Sequence, residues 1–381
     1  MVVCRNHLTH GALIDFLETR IPLAQAETWD HCGLQAGSRK WPLQGVLCAL
    51  DFSLELIAEA EALGTNFIFT HHPLFFKPFS SLDVDVFPGC LLERALAAGI
   101  TLFSAHTNLD SIRGGVNDCL ADLLGIEDRQ PLRTYRQEVY KLVTFVPAAA
   151  AETLAGLLFA AGAGNMGSGL YSDCAFRSRG SGSFRPASGA NPRVGKVGEL
   201  NLVDEIRLET VVDKALLPAV LSALFRGHPY EVPAYDLYPM ALPERHDGLG
   251  RIGCLRTELT LADFVQVVKH QLRVPVVRLV GERFSGAKVK RVALCGGSGF
   301  SLYGAARAAG ADLYVTGDLK YHEAREVLDH GTLPILDAGH FATERPVLES
   351  ISRWCLDFVR RAGAQIPVFI SSREKEPWSY L

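Results

Sequence analysis

Neither sign of charge dominates this chain: 38 lysines and arginines face 42 aspartates and glutamates, a formal net charge of -4, and no basic tract occurs. That leaves no electrostatic footprint for a nucleic acid partner. Long apolar runs are also missing, so no membrane span is expected. The first apolar segment, Leu8 to Ile21, spaces Leu13, Ile14, Leu17 and Ile21 as a helix interrupted by Asp15, Glu18 and Arg20, which is not the composition of a signal peptide. Cysteine is present nine times but never as Cys-x-x-Cys, which argues against a zinc knuckle or a disulfide framework. Reduced, scattered thiols point to the cytoplasm. No P-loop, dinucleotide fingerprint or G-x-S-x-G elbow is found.

What is there is globular. The chain has 48% hydrophobic and 21% charged residues, and its 381 residues exceed one ordinary core, so two or three domains are expected. The stretch Thr70-His71-His72-Pro73 organises the reading. Asn66 to Phe69 is a short apolar run suited to a buried parallel strand, and Pro73 stops it from continuing as a central ladder member. Two adjacent imidazoles thus stand at the carboxyl end of a strand, where open α/β sheets place ligands. Neighbours on a strand point to opposite faces, so two metals side by side could take one each. The plain alternative is a pair of partly buried histidines bonded to backbone carbonyls.

From residue 45 to about 130 the pattern alternates: strand Val46 to Leu50, helix Ser53 to Leu63, strand Asn66 to Thr70, helix Cys90 to Ala98, strand Ile100 to Ala105, helix Val116 to Leu124. This predicts an α/β fold with a mostly parallel sheet covered on both faces. The grammar returns at Val292 to Cys295, Phe300 to Ala309 and Asp312 to Thr316. Ala60-Glu61-Ala62-Leu63-Gly64-Thr65-Asn66 keeps step with Ala306-Arg307-Ala308-Ala309-Gly310-Ala311-Asp312, which places Thr70 opposite Thr316 and His71-His72 opposite Gly317-Asp318. An internal duplication is expected, with two similar α/β units facing each other. Between them the order strand (Tyr140 to Val146), helix (Ala149 to Ala161), Gly/Ser stretch (Gly162 to Gly189), strand (Glu205 to Val212), helix (Lys214 to Phe225), strand (about Tyr230 to Tyr238) predicts a βαββαβ, ferredoxin-like insert. The expected divisions are 1–132, 133–245 and 246–381.

Ligand-type side chains collect next to turns at four places: His71-His72; Asp110 with His106; Asp318 with His322; and His340 with Glu344. The last two, four apart, share a face if helical and can approach one ion. Imidazole with carboxylate suits zinc, iron(II) or manganese, and a carboxylate can bridge two ions. A site of His71, His72, Asp110, His340 and Glu344 gives each of two ions about three protein ligands and leaves positions open. Taken alone, His340 and Glu344 read as a helix start with a surface carboxylate. Gly296-Gly297-Ser298-Gly299 could cradle a phosphate or simply make a tight βα turn. Trp29-Asp30-His31-Cys32-Gly33-Leu34-Gln35 reads as an ordered loop whose Asp30 and His31 either support the site or hold a turn.

These segments resemble the signatures of the Nif-three-like family (Ngg-interacting factor three), whose members are often labelled GTP cyclohydrolase 1 type 2 homologues. The resemblance rests on Thr70-His71-His72-Pro73-Leu74, Ala105-His106-Thr107-Asn108-Leu109-Asp110, Thr316-Gly317-Asp318 with His322, and Gly339-His340 with Glu344. The insert resembles the PII/CutA-like domain of longer bacterial members, through Gly180-Ser181-Gly182-Ser183-Phe184-Arg185-Pro186, Asn191-Pro192 and Glu205-Ile206-Arg207-Leu208-Glu209. The resemblance implies two pseudo-symmetric α/β halves around a dinuclear metal centre, in a toroidal homohexamer. It gives His71 and Asp110 to one ion and His72 and His340 to the other, with Glu344 bridging. The family has Trp-Asp-Asn where this chain has Trp29-Asp30-His31, which leaves the role of His31 open, as the spacing leaves that of His106. Gly164 to Tyr171 also departs from the usual turn of the insert.

Together these readings lead to a metal-dependent hydrolase of a nucleotide or related phosphorylated heterocycle, holding two divalent ions, with Asp318 or His322 moving the proton. The competing expectation is a non-enzymatic assembly that holds metal or senses a small ligand through the insert. The same ligands bind metal whether or not turnover follows.

Overall fold

A computed structural model of the chain describes residues 8–76, 81–134, 139–165, 171–241, 247–281 and 286–379. Most of the Gly164 to Tyr171 turn and the expected division at 245 lie outside these residues. The chain forms two compact units, Met1–Tyr135 with Arg245–Leu381, and Arg136–Glu244.

The larger unit begins with α1 (His10–Arg20), where Thr9 accepts the Ala12 amide as a cap and Leu13, Ile14 and Leu17 are fully buried. There follow β1 (Gly33–Ala36), β2 (Val46–Ala49), α2 (Leu54–Leu63), β3 (Phe67–Thr70), α3 (Gly89–Ala97) and β4 (Thr101–Ser104). Ser53 caps α2 by accepting the Leu56 amide, and Gly64, at φ 67°, ends it in the left-handed region that glycine enters without strain. Every residue of β2, β3 and β4 is buried, as in parallel strands covered on both faces. Burying Phe67, Phe69 and Phe103 contributes about 1.5–3 kcal/mol each. Two short helices, α4 (Thr107–Ser111) and α5 (Val116–Leu123), lead to β5 (Ile126–Thr134).

The smaller unit contains β6 (Val139–Pro147), α6 (Ala151–Ala160), β7 (Ala175–Phe184), β8 (Asn201–Asp213), α7 (Leu217–Gly227) and β9 (Tyr235–Pro239). Its sheet is antiparallel throughout, in the order β7-β8-β6-β9. Along β8, Leu208, Thr210 and Val212 are buried at period two, and Leu208 and Val212 pack with Leu154 and Leu158 of α6 and Val220 and Leu224 of α7. The alternate side chains, Glu205, Arg207 and Glu209, take the other face. Two local expectations differ from the structure. The Gly/Ser stretch contains a ten-residue strand, because β8 is long enough to pair with β7 from Ala175 to Phe184. The last strand starts only at Tyr235, because Pro229 and Pro233 lack the amide a ladder needs.

The larger unit resumes with β10 (Gly248–Thr260), α8 (Leu261–Leu272), β11 (Arg278–Val280), β12 (Lys288–Ser298), α9 (Tyr303–Ala308), β13 (Leu313–Gly317), α10 (Tyr321–His330), β14 (Ile335–Asp337), α11 (His340–Glu344), α12 (Val347–Arg361) and β15 (Val368–Ile370). The helix expected over 300–309 begins as a tight turn at Phe300–Leu302 before α9. One sheet runs β1-β4-β3-β2-β15 and the other β11-β14-β13-β12-β10-β5. Each half contributes three parallel strands that carry an antiparallel edge strand, β1 on β4 and β11 on β14. The halves therefore repeat one topology, with Thr70 at the end of β3 and Thr316 near the end of β13. Each sheet also borrows a strand from the other half: β15 pairs with β2, and β5 pairs with β10. α12 turns Val347, Leu348, Ile351 and Cys355 into the core shared with α1, β2 and β3.

Candidate metal centre

The strand ends that the duplication makes equivalent converge. His71 and His72 follow β3, and their amides continue the pairing by donating to Ala49 and Leu50 carbonyls at 3.2 and 2.8 Å. Asp110 lies in α4, after β4; His340 and Glu344 lie in α11, after β14. All five expected ligand residues meet at one place. His71 Nε2 stands 3.5 Å from both Asp110 Oδ1 and Glu344 Oε1. His72 Nε2 is 3.1 Å from Glu344 Oε2, and His340 Nε2 is 3.1 Å from Glu344 Oε1. Glu344, 3% exposed, thus faces all three imidazoles.

The outward nitrogen of each histidine is held by an acceptor. Nδ1 of His71 lies 2.8 Å from the Ala105 carbonyl, Nδ1 of His72 lies 2.8 Å from Asp51, and Nδ1 of His340 lies 2.8 Å from Asp318. His106, which precedes α4, has Nδ1 3.1 Å from Asp30. A ring nitrogen that donates outward fixes the tautomer and leaves Nε2 with a lone pair toward the centre, the arrangement that supports metal-ligating histidines. Among the described residues, two sets have donor atoms close enough to share an ion: His71, His72 and His106, and His72, His340 and Glu344.

The electrostatics describe a cluster in internal conflict. Burial opposes ionisation of Glu344 most strongly, yet His71, His340 and His72 together hold its carboxyl well below the usual range. Burial, joined by the charge of Glu344, pushes Asp110 up to about 6 against the pull of His71. Burial works against a charged His72, but Asp51 and Glu344 raise it to about 10; His340 rises to about 9 through Glu344 and Asp318 in the same way. Two protonated imidazoles do not fit here, because the Nε2 atoms of His72 and His340 are only 3.2 Å apart. Among the described residues His71 Nε2, Asp110 Oδ1 and Glu344 Oε2 are buried without a hydrogen-bond partner. Orphaned buried donors and acceptors are costly, about 1–3 kcal/mol each. Divalent cations would satisfy these atoms together and remove the need for protons, so the donor set fits them.

Glycines make room for this packing. A Cβ on Gly297, at φ 63°, would lie 2.1 Å from Glu344 Oε1, and one on Gly317 would lie 2.8 Å from the backbone of Gly339 and His340. Gly296 and Gly297 lie near the end of β12, beside the carboxylate. A cavity of about 420 Å³ opens next to the cluster, lined by Trp29, His106, Asp110, Arg133, Ser298 and Glu344 among others. Arg133 is paired with Glu27, another lining residue.

Not every expected residue reaches the centre. Asp318 touches it only through His340 Nδ1. His322 is exposed on α10, with its ring against Tyr321 at 5.4 Å, and is not among the residues lining the cavity. His31 is exposed and contributes its amide to Asp30 at 2.8 Å. Asp30 is the buried hub of that loop, also accepting the Thr107 amide at 3.0 Å, and these bonds with His106 hold its carboxyl well below the usual range against burial. Sequence reasoning missed Asp51 and Arg133. Asp51 had a signal, since it stands two residues past β2 as His72 stands two past β3; Arg133, in a strand of mixed charge, had none.

The model of the family described as Duf34/NIF3 (NGG1p interacting factor 3) matches residues 8–377. The chain belongs to the Duf34/NIF3 family. A Bacillus subtilis (strain 168) relative named GTP cyclohydrolase 1 type 2 homolog is 40% identical over 97% of this chain and 98% of its own length. Among solved Duf34/NIF3-like structures, a Bacillus cereus protein related to NIF3 is 37% identical with a TM-score of 0.69, covering 98% of this chain and 99% of its own. The Staphylococcus aureus protein SA1388 is 30% identical with a TM-score of 0.75, again covering 98% and 99%.

Proposed function

We propose that this protein holds two divalent metal ions and uses them to hydrolyse a nucleotide or a related phosphorylated heterocycle. The observation that carries the reading is the buried Glu344 carboxylate facing three imidazoles whose outer nitrogens are all occupied, beside an open cavity. His71, Asp110, His72, His340 and Glu344 would hold the ions, and His106 stands beside His71 and His72. Zinc, iron(II) or manganese ions held there would supply Lewis acidity toward water and substrate near neutral pH. The protein's own groups do the rest. Asp51, Asp318 and the Ala105 carbonyl orient the rings, which makes Asp318 a positioning residue in this reading. His106, locked on Asp30 and facing the cavity, is the better placed proton carrier than the exposed His322. Arg133 and Ser298 offer donors to a substrate phosphate.

The names of the relatives put GTP first among substrates to try. The expected PII/CutA-like character of the insert, the homohexamer and the cytoplasmic location belong to the same proposal. Among the described residues no helix is long and apolar enough to cross a membrane.

The test is metal analysis and turnover together. Protein reloaded separately with zinc, manganese or iron(II) should bind two ions per chain and release product from a nucleotide panel including GTP, and Asp110→Ala should abolish turnover. Two bound ions with no turnover of any nucleotide would replace the hydrolase by the metal-holding or sensing reading. Failure to bind metal would overturn both.

A further inference from the structure

The smaller unit contains a cavity of its own, about 570 Å³, on the sheet face opposite α6 and α7. That volume is within the roughly 300–1,000 Å³ of small-molecule sites. The strand floor supplies Phe145, Glu205 and Arg207, and the segments around Pro192 and Tyr230 form walls. The two walls are tied together where the Asn191 amide donates to Glu231 at 3.3 Å.

Its polar groups are arranged by cause. Glu205 reaches across β7 into space that Gly182 leaves open, since a Cβ on Gly182 would sit 2.0 Å from Glu205 Oε2. Tyr230 donates its hydroxyl to Glu205 Oε1 at 2.7 Å. Burial and that carboxylate push the Tyr230 hydroxyl well above its usual range, so it stays a donor. Glu205 Oε1 is thus fixed while Oε2 keeps acceptor capacity. The positive groups contrast with this. Arg207 is paired with Glu209 at 2.8 Å, but among the described residues Arg193, which lines the cavity, has no carboxylate partner. Phe145, Phe184 and Tyr230 add flat apolar surface.

We propose that this cavity is a binding site for a small anionic ligand built on a planar ring with an N–H edge, the chemistry of a purine nucleotide. The Glu205 carboxylate accepts from the N–H edge, the aromatic side chains cover the ring, and Arg193 takes the anionic tail. The site lies wholly within residues of the smaller unit and does not depend on the metal reading.

Titration calorimetry of the full chain with GMP, in chelator to silence the other centre, tests this. GMP should bind saturably, guanosine at least tenfold more weakly because it lacks the phosphate. Arg193→Ala, on an exposed loop whose loss of side chain leaves the fold intact, should weaken GMP at least tenfold and leave guanosine unchanged. Glu205→Gln keeps the shape and the Tyr230 bond and should weaken both ligands. Asp110→Ala should bind GMP as the parent chain does. No saturable GMP binding at millimolar concentration would overturn the proposal. So would binding that is indifferent to Arg193→Ala and Glu205→Gln, or that disappears with Asp110→Ala.

Discussion

In the proposed metal-holding state, the carboxylates behind the histidines set how firmly the centre would hold an ion. Asp51 and Asp318 have side chains 62% and 50% exposed, so neither supports the core. Each fixes one imidazole through Nδ1, and loss of such an outer partner lowers metal affinity by about 10–100-fold. Asp51→Ala and Asp318→Ala are therefore expected to fold normally yet bind zinc that much more weakly in a competition titration; unchanged affinity would show that the rings are held by packing alone. Gly297 acts the other way, by absence. Gly297→Ala puts a methyl at the Glu344 oxygen and strains a left-handed backbone, so metal per chain should fall in elemental analysis while far-ultraviolet dichroism keeps its shape.

At the scale of elements, Arg251 joins the two halves of the larger unit. From β10 its guanidinium, 2% exposed, donates to Asp118 of α5 at 2.7 Å and to the carbonyls of Gly248, Gly250 and Ile112. Removing one partner of a buried pair leaves the other charge unmet, at a cost of about 3–5 kcal/mol. Arg251→Leu should lower stability in urea by that order, and Arg251→Lys should not restore it, because an ammonium cannot span the same fork. Burial opposes the Asp118 charge, but Arg251 and the Gly114 amide hold its carboxyl below the usual range. A depressed folded pKa gives stability that is fully present above the unfolded value, about 3.9, and lost as pH falls through the folded one. The parent chain should accordingly lose more stability than Arg251→Leu on acidification below pH ~4; equal losses in the two chains would remove Asp118 from the account.

The same scale shows what could be read from residues alone. β2, β3, β4 and β13 were legible because they are buried on both faces and carry no charged residue. The convergence of His71, His72, Asp110, His340 and Glu344 was legible because strand ends in such sheets share one edge. β5 was not: Ile126-Glu127-Asp128-Arg129-Gln130-Pro131 carries charge and a proline, as an outer strand tolerates and a local pattern conceals. The exchange of β5 and β15 between halves pairs residues far apart in sequence, which no window of periodicity contains.

For the whole molecule, the consequence of β5 is where the smaller unit is spliced in. Thr134 and Gly248 are antiparallel partners in the β5–β10 pair. Directly opposed residues in such a pair have Cα atoms about 4.5–5.5 Å apart, a gap that a two-residue hairpin closes. The insert thus enters and leaves at the two sides of one turn, the geometry at which domain insertion is tolerated. Replacing 135–247 by Asn-Gly should leave a cooperative thermal transition and the same metal content per chain, because every residue of the candidate metal centre and both exchanged strands remain. GMP binding should vanish with the excised unit. A truncated chain that fails to bind metal and melts without a transition would mean instead that the smaller unit completes the core of the larger one, and the excision would then separate nothing.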